Sequence, residues 1–257
     1  MLFNLKYFLK MENISKLVPY KKVKLDKKEQ VKEMFNKIAK SYDLLNHIFS
    51  LGIDKRWRRK LIKNISKFKH DEVLDLATGT GDLIFYLAKL KAKKIIGIDI
   101  SEEMLTIGKK KISKKLKNYK GQIELRIGDS EQMCFEDESF DIVSCAFGIR
   151  NSENLYKWLK EVNRVLRKQG IFAILEFSHI KNKMIFHAFN FYFNKILPFV
   201  GKIITGDKAY YYLPESVKNF PSGKKFTKLV ENFGFKTLKV KSLSFGIASI
   251  YIFKKIK

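Results

Sequence analysis

Residues 72–82 read EVLDLATGTGD: five strand-forming positions, then Gly79-Thr80-Gly81, then an acid. A glycine turn directly after a short apolar strand lets backbone approach a ligand closely, and in an open α/β sheet that place lies outside the carboxyl ends of the strands. The chain downstream repeats the unit. Residues 94–98 read as a second strand ending at Asp99, and Ser101-Glu102-Glu103 supplies a cap and first-turn acids for the next helix. Residues 123–127, 141–147 and 171–177 read as further strands. Residues 83–90 look helical, and Leu155, Trp158, Leu159, Val162, Val165 and Leu166 recur with helical period before a stop at Gly170. Residues 235–240 and 247–253 would add an antiparallel pair. This alternation predicts an α/β protein built on a doubly wound, mainly parallel sheet.

The glycine turn is not the dinucleotide fingerprint G-x-G-x-x-G, because Ile84 stands where the third glycine belongs. Asp82 directly after Gly81 is a poor neighbour for a pyrophosphate. It suits a ligand without phosphate that carries positive charge. S-adenosylmethionine, with its sulfonium and α-amino group, fits close backbone approach at Gly79 and Gly81 with Asp75 and Asp82 nearby. Asp99 is placed to accept from both ribose hydroxyls, as it would be for a nicotinamide dinucleotide. Asp129, after the third strand, is placed for the adenine amino group. Each acid taken alone serves equally well as a turn or cap residue, and it is their order along the chain that points to the cofactor.

The 257 residues are 46% apolar, ordinary for a globular chain with a sizeable core. Lys and Arg number 52 against 26 acids, a net charge of +26. Two readings compete for that charge: a polyanionic partner, or compositional drift toward lysine, which the scatter of KK and KKK runs along the whole chain favours. The first ten residues, MLFNLKYFLK, carry lysines in the apolar stretch and precede no small-residue cleavage site, so they do not read as a signal peptide; Met11 is an alternative start. No stretch has the roughly 20 apolar residues of a membrane span. Cys134 and Cys145 make no disulfide framework, and His47, His70, His179 and His187 lie too far apart in sequence to suggest a metal site. A cytoplasmic protein without a metal is expected.

Methyl transfer would need an acceptor site at the end of the fourth strand. Enzymes of this fold that methylate nucleic-acid amines carry an Asn/Asp-Pro-Pro-aromatic stretch there, whereas this chain has CAFGIRN at 145–151. From Val18 onward the sequence resembles the menaquinone/ubiquinone biosynthesis C-methyltransferases. The matching stretches are EQVKEMFNKIAKSYDLLNHIFSLGIDKRWRR (29–59), VLDLATGTGDL (73–83), GIDISEEML (97–105), GDSEQMCFEDESFDIVSCAFGIRN (128–151), EVNRVLRKQG (161–170), LEFS (175–178) and YLPESVKNFP (212–221), agreeing in order and spacing. The chain departs from the pattern at Ala146, where some members have serine, and after Ser178, where a proline is displaced by His179-Ile180.

The resemblance implies a Rossmann-like class I methyltransferase fold with seven strands and S-adenosylmethionine as donor. It further implies C-methylation of a polyprenylated hydroquinone. ATGTGD and FNFYFNKILPFVGK (189–202) look more like demethylmenaquinone enzymes than ubiquinone ones. A benzoquinol acceptor, an RNA or protein methyltransferase, and a non-catalytic cofactor-binding scaffold are the alternatives. Cofactor contacts carry over to Thr80, Asp99, Asp129 and Ser130. A phenolic hydroxyl ionises near pH 10, and losing its proton makes the adjacent ring carbon nucleophilic. Arg150 is expected to stabilise that phenolate, with Asn151 and Tyr42 holding ring oxygens; a structural ion pair is the competing role for Arg150. His47 reads as a loop residue without an orienting carboxylate and is set aside as a base. Expected organisation is a partly flexible extension over 1–26 and one domain over 27–257. That domain would carry a helical cap at 27–68 and an aromatic-rich lid at about 183–222. A hydroquinone and the inner face of the membrane are the expected partners, nucleic acid is not, and a homodimer is left open.

Overall fold

The computed structural model describes residues 17–180, 182–205 and 209–256. The expected extension falls mostly on residues 1–16, outside the described residues, as does the alternative start at Met11. Residues 17–26 are tied to the helix after them through Gln30: Tyr20 N–H donates to Gln30 Oε1, and Gln30 Nε2 donates to the Val23 and Leu25 carbonyls.

Seven strands form one sheet: β1 (Glu72–Leu76), β2 (Lys94–Asp99), β3 (Gln122–Ile127), β4 (Phe140–Ala146), β5 (Leu166–Phe177), β6 (Phe235–Leu243) and β7 (Ala248–Lys255). Their order is β3-β2-β1-β4-β5-β7-β6, with β7 antiparallel to both neighbours and the other pairings parallel. The strand order reverses between β1, which leads to β2, and β4. Ligands of doubly wound sheets bind at that switch point.

Successive residues of a strand face opposite sides, and each side has its own core. Leu74, Val143, Phe172, Ile174, Tyr251 and Phe253 pack against helices α5 (Leu155–Val165) and α9 (Lys224–Glu231). Val73, Ile95, Ile142, Ala173, Ile250 and Ile252 pack against α2 (Ile53–Ile65) and the short α3 (Ile84–Leu87). Covered on both faces, the strands read as continuous apolar runs.

Outside these layers, α1 (Lys27–Phe49) crosses the carboxyl ends of the strands and packs on α6 (Lys183–Phe191), a π-helical stretch (Tyr192–Ile196), α7 (Leu197–Thr205) and α8 (Ala209–Asn219). Met34, Ile38, Leu45, Met104, Phe193, Leu197 and Tyr212 make their shared core. The Met104 side chain belongs to α4 (Glu102–Lys115), which Ser101 caps by accepting from Met104 N–H. Among the described residues no helix is long and apolar enough to cross a membrane.

Two boundaries differ from expectation. His47 does not lie in a loop: the α1 helix runs on through it to Phe49, because Leu45 continues the buried stripe and the turn is made later by Leu51 and Gly52, both left-handed. The α5 helix stops at Val165 rather than at Gly170. Leu166 already pairs with Phe140, and its carbonyl accepts from Lys255 Nζ at 2.7 Å. Gln169 (φ 65°) and Gly170 form a tight excursion inside β5, where a Cβ on Gly170 would lie 2.7 Å from the Arg167 carbonyl.

Candidate active site

Two cavities meet at the carboxyl ends of β1, β2 and β4. The first is a cleft lined by Gly79, Asp99, Gly128, Asp129, Ser130 and Gly148, roofed by Lys28, Val31, Phe35 and Tyr42 of α1. Gly79 adopts φ 56° with open space where a Cβ would stand, and its N–H donates to Asp99 Oδ2 at 2.8 Å. Ser101 N–H donates to Asp99 Oδ1, also at 2.8 Å. Burial raises the Asp99 pKa, and these backbone donors work against that rise. Each carboxylate oxygen keeps a lone pair for a diol. Asp129 accepts from Glu131 N–H and pairs with Lys28 at 2.6 Å. Ser152 Oγ, buried on the same wall, has no partner. A glycine turn open to the cleft, a fixed acid at the end of β2, a second acid after β3 and an orphaned hydroxyl fit an adenosine-bearing cofactor.

Gly148 makes the close approach that shapes this end. A Cβ there would meet Ala77 Cβ at 2.5 Å and Cys145 Sγ at 3.0 Å, so only glycine lets the loop after β4 pass the loop after β1. Its neighbour Phe147 is held in the left-handed region (φ 61°), which a bulky residue keeps only when its surroundings enforce it. Arg150 does so by donating to the Phe147 carbonyl.

The second cavity, about 270 Å³, is walled by Met34, Ile38, Trp57, Phe177, Phe193 and Leu197 among other apolar groups. Four residues line both spaces: Phe35, Tyr42, Phe147 and Asn151. They form a partition between the cleft and the apolar cavity. Arg150 also lines the cavity. Its Nη1 pairs with Glu176 at 3.1 Å and its Nε donates to Ser216 Oγ at 3.2 Å. FGIRN, LEFS and YLPES therefore converge on one buried side chain. Burial raises Glu176, with the Arg150 charge opposing. Burial likewise raises Tyr42, which bonds Asn46. Asn151 Oδ1 is buried without a partner.

Of the residues singled out from sequence, Gly79, Asp99, Asp129 and Ser130 come together in the cleft, Tyr42 and Asn151 in the partition, and Arg150 in the cavity. Asp75, Thr80 and Gly81 line neither space. Asp75 lies beneath the turn, accepting from Thr78 and Ser144 hydroxyls at 2.7 Å each, and burial raises its pKa to about 6. The Thr80 hydroxyl donates to Asp43 of α1. Asp82 turns away from the cleft into a charge network instead of facing a cationic ligand. Burial would raise its pKa, but Arg58 and Lys111 outweigh burial and hold it low.

That network also corrects the reading of His47. It sits in the last turn of α1, with Nδ1 3.2 Å from Asp54 Oδ2 and Nε2 3.9 Å from Asp82 Oδ2. The first is a close polar contact not aligned as a hydrogen bond. The ligand atoms of His47, Asp54 and Asp82 fall within 4.8 Å of one another, as for a metal. Arg58, however, occupies Asp54 and approaches Asp82, and Lys111 bonds Asp82 at 2.7 Å, so organic cations already neutralise the acids. Asp54 was missed from sequence; only the spacing of Asp54 and Arg58 on one helix face hinted at it.

The fold and cleft together define a methyltransferase-type α/β domain. A solved SAM-dependent methyltransferase from Aquifex aeolicus superposes with a TM-score of 0.56 at 19% identity, covering 77% of this chain and 89% of that one, which supports the fold alone. The sequence carries the assignment further. The pattern of the ubiE/COQ5 methyltransferase family matches residues 22–255, and the chain belongs to that family. It is 40% identical over 232 residues to a ubiquinone/menaquinone biosynthesis C-methyltransferase of Geotalea daltonii, covering 90% of this chain and 98% of the relative. It is 39% identical over 227 residues to a demethylmenaquinone methyltransferase of Bacteroides fragilis, covering 88% and 92%.

Proposed function

We propose that the protein methylates a ring carbon of a reduced polyprenyl quinone, demethylmenaquinol to menaquinol, with S-adenosylmethionine as donor. The observation that carries the reading is the shared partition: Phe35, Tyr42, Phe147 and Asn151 line both the cleft and the apolar cavity. When bound, the cofactor supplies an electrophilic methyl on a sulfonium. Gly79, Asp99, Asp129 and Ser130 hold it. Asn151 and Tyr42, on the partition, orient the acceptor's oxygens, and Arg150 stabilises the phenolate that forms as the hydroxyl proton leaves. Aromatic walls exclude water. Asp75, Gly81 and Thr80 act through the turn: Asp75 braces it from below, and Thr80 ties it to α1.

The helices over 183–219 act as a lid and as the membrane-facing surface. Phe191 and Phe199 are each 63% exposed, and Met184 and Ile203 project beside them among the exposed Lys183, Lys195 and Lys202. Exposed apolar side chains interleaved with lysine suit peripheral contact with an anionic bilayer, about 1 kcal/mol for each basic residue near the surface. A tailed acceptor would enter from there.

The test incubates purified protein with labelled S-adenosylmethionine and, in parallel, reduced demethylmenaquinone, the demethyl benzoquinol and bulk RNA. Label on the naphthoquinol is expected. Label on RNA alone would overturn the reading. Sedimentation with anionic liposomes checks the surface: Phe191→Ser/Phe199→Ser should cut the bound fraction, and unchanged partition would remove this face from the membrane contact.

A further inference from the structure

Besides Asn151 Oδ1 and Arg58 Nε, the apolar cavity has a third buried polar atom on its lining that no protein group satisfies. Tyr212, in the first half of α8, is 4% exposed, and its hydroxyl has no hydrogen-bond partner. A buried hydroxyl left unpaired costs about 1–3 kcal/mol, and such groups in native proteins call for an explanation. The position of the ring is not accidental. Ser216, four residues on and so on the same helix face, receives the Arg150 Nε and passes its own proton to the Leu213 carbonyl at 2.8 Å. The contact that locks α8 onto Arg150 thereby fixes Tyr212 into the cavity wall, beside Leu213 and across from Phe189, Tyr192 and Phe193.

We propose that Tyr212 binds the acceptor directly, donating its hydroxyl hydrogen bond to the ring oxygen that becomes the phenolate. This rests on the quinol reading above and deepens it by naming a binding residue for the reactive oxygen. Three features support the assignment. Arg150 and Tyr212 line the same cavity, and Arg150 Nε bonds Ser216 one turn further along α8, so the guanidinium and the Tyr212 ring stand at one part of its wall. Burial keeps the phenol well above its ordinary ionisation range, with Glu215 and Glu176 adding to the rise, so Tyr212 stays protonated and gives a hydrogen bond without removing a proton. Asn151 Oδ1, another orphan on this wall, can only accept. The remaining unpaired atom on the lining, Arg58 Nε, belongs to a guanidinium already held by Asp54. The Tyr212 donor and the Asn151 acceptor match an arene diol in which one oxygen has lost its proton and the other keeps it.

In the step itself the acceptor hydroxyl gives up its proton and the ring carbon forms a bond to the methyl as the methyl–sulfur bond breaks. The ring C–H proton is then lost to restore aromaticity, and the oxygen regains one. One proton is released overall. Tyr212 is neither source nor sink of it. Its hydrogen bond strengthens as charge builds on the oxygen, so its removal should lower turnover more than acceptor binding.

The experiment compares wild type with Tyr212→Phe on a short-chain reduced demethylmenaquinone and on ring-halogenated analogues whose hydroxyls are more acidic. The variant is expected to lose about 10- to 100-fold in kcat/KM on the parent quinol, mostly in kcat. Cofactor Kd should hold, and the melting temperature of the ligand-free protein should hold or rise, since the unpaired hydroxyl is gone. The wild-type to variant ratio should shrink as the acceptor hydroxyl becomes more acidic, because a less basic phenolate gains less from the donor. A loss of the same factor on every acceptor, or activity within threefold of wild type, overturns the assignment while the quinol reading stands. Wild-type protein inactive on every quinol overturns both.

Discussion

The glycine-turn cleft and the apolar cavity share four residues, but the carboxylates of the first and the Asn151 and Tyr212 groups of the second are in opposite conditions. In the cleft the carboxylates already have protein partners: Asp99 takes the Gly79 and Ser101 N–H groups, and Asp129 takes Lys28 and the Glu131 N–H. They hold their geometry without a ligand and meet it with spare lone pairs. In the cavity Asn151 Oδ1 and the Tyr212 hydroxyl wait unpaired among aromatic rings. The difference shows two ways to build a site: one pre-organised on strand ends, the other completed by its occupant.

The severest challenge to this contrast is Arg150, which lines the cavity but is paired with Glu176, Ser216 and the Phe147 carbonyl. Arg150→Ala leaves Glu176 buried without its counter-charge, and we expect a loss of about 3–5 kcal/mol, read as a melting-temperature drop of roughly 6–20 °C. A double Arg150→Met/Glu176→Leu variant should regain much of the melting temperature but not the turnover. Recovery of both would reduce Arg150 to a structural ion pair. Next in size is Asp99→Ala, which frees two backbone donors and removes the expected ribose partner. Isothermal titration should show cofactor affinity weakened about 100-fold, near 3 kcal/mol, and a change under threefold would place the cofactor elsewhere.

Asp75 separates bracing from binding. Burial raises its pKa from 3.8 to about 6, so between those values the folded protein holds a proton that the unfolded chain has released. Its contribution to stability is complete below about pH 4 and falls away as pH rises through 6. Asp75→Asn should therefore gain about 1–3 kcal/mol at pH 8, by urea midpoint, with the gain vanishing at pH 4. A gain equal at both pH values would mean the carboxylate is not the cause. The smallest effect sets the scale for ordinary local structure. Asn154, which caps α5 by accepting from Lys157 N–H, should cost about 1 kcal/mol on change to Ala, without altering cofactor affinity.

Legibility in the sequence divides along the same line. The glycine turn, Asp99 and Asp129 lie at ends of consecutive strands, and alternation fixes where those ends fall, so the cleft was readable from local order. Asp82 misled because its neighbour in sequence, Gly81, does not determine which way a side chain turns; Arg58 and Lys111, from two separate helices, do. His47 was set aside because Asp54 faces it only once the Leu51-Gly52 turn folds α2 back along α1. Tyr212 had no local signal beyond its place in YLPES, since its meaning depends on Arg150 lying 62 positions earlier. Helix ends were misjudged where a turn depends on tertiary support, as at Gln169-Gly170.

The place of β7 has a consequence for how the chain is made. During synthesis it emerges after the other six strands, yet its position is between β5 and β6, pairing with both along most of its length. Until it arrives β5 and β6 cannot be joined, and each presents a bare hydrogen-bonding edge on which a neighbouring nascent chain can add. The β1–β4 half and its glycine turn can assemble on the ribosome, but the sheet closes only afterwards, by insertion of a strand into a gap. Crowded translation is therefore a condition that exposes this fold to misassembly.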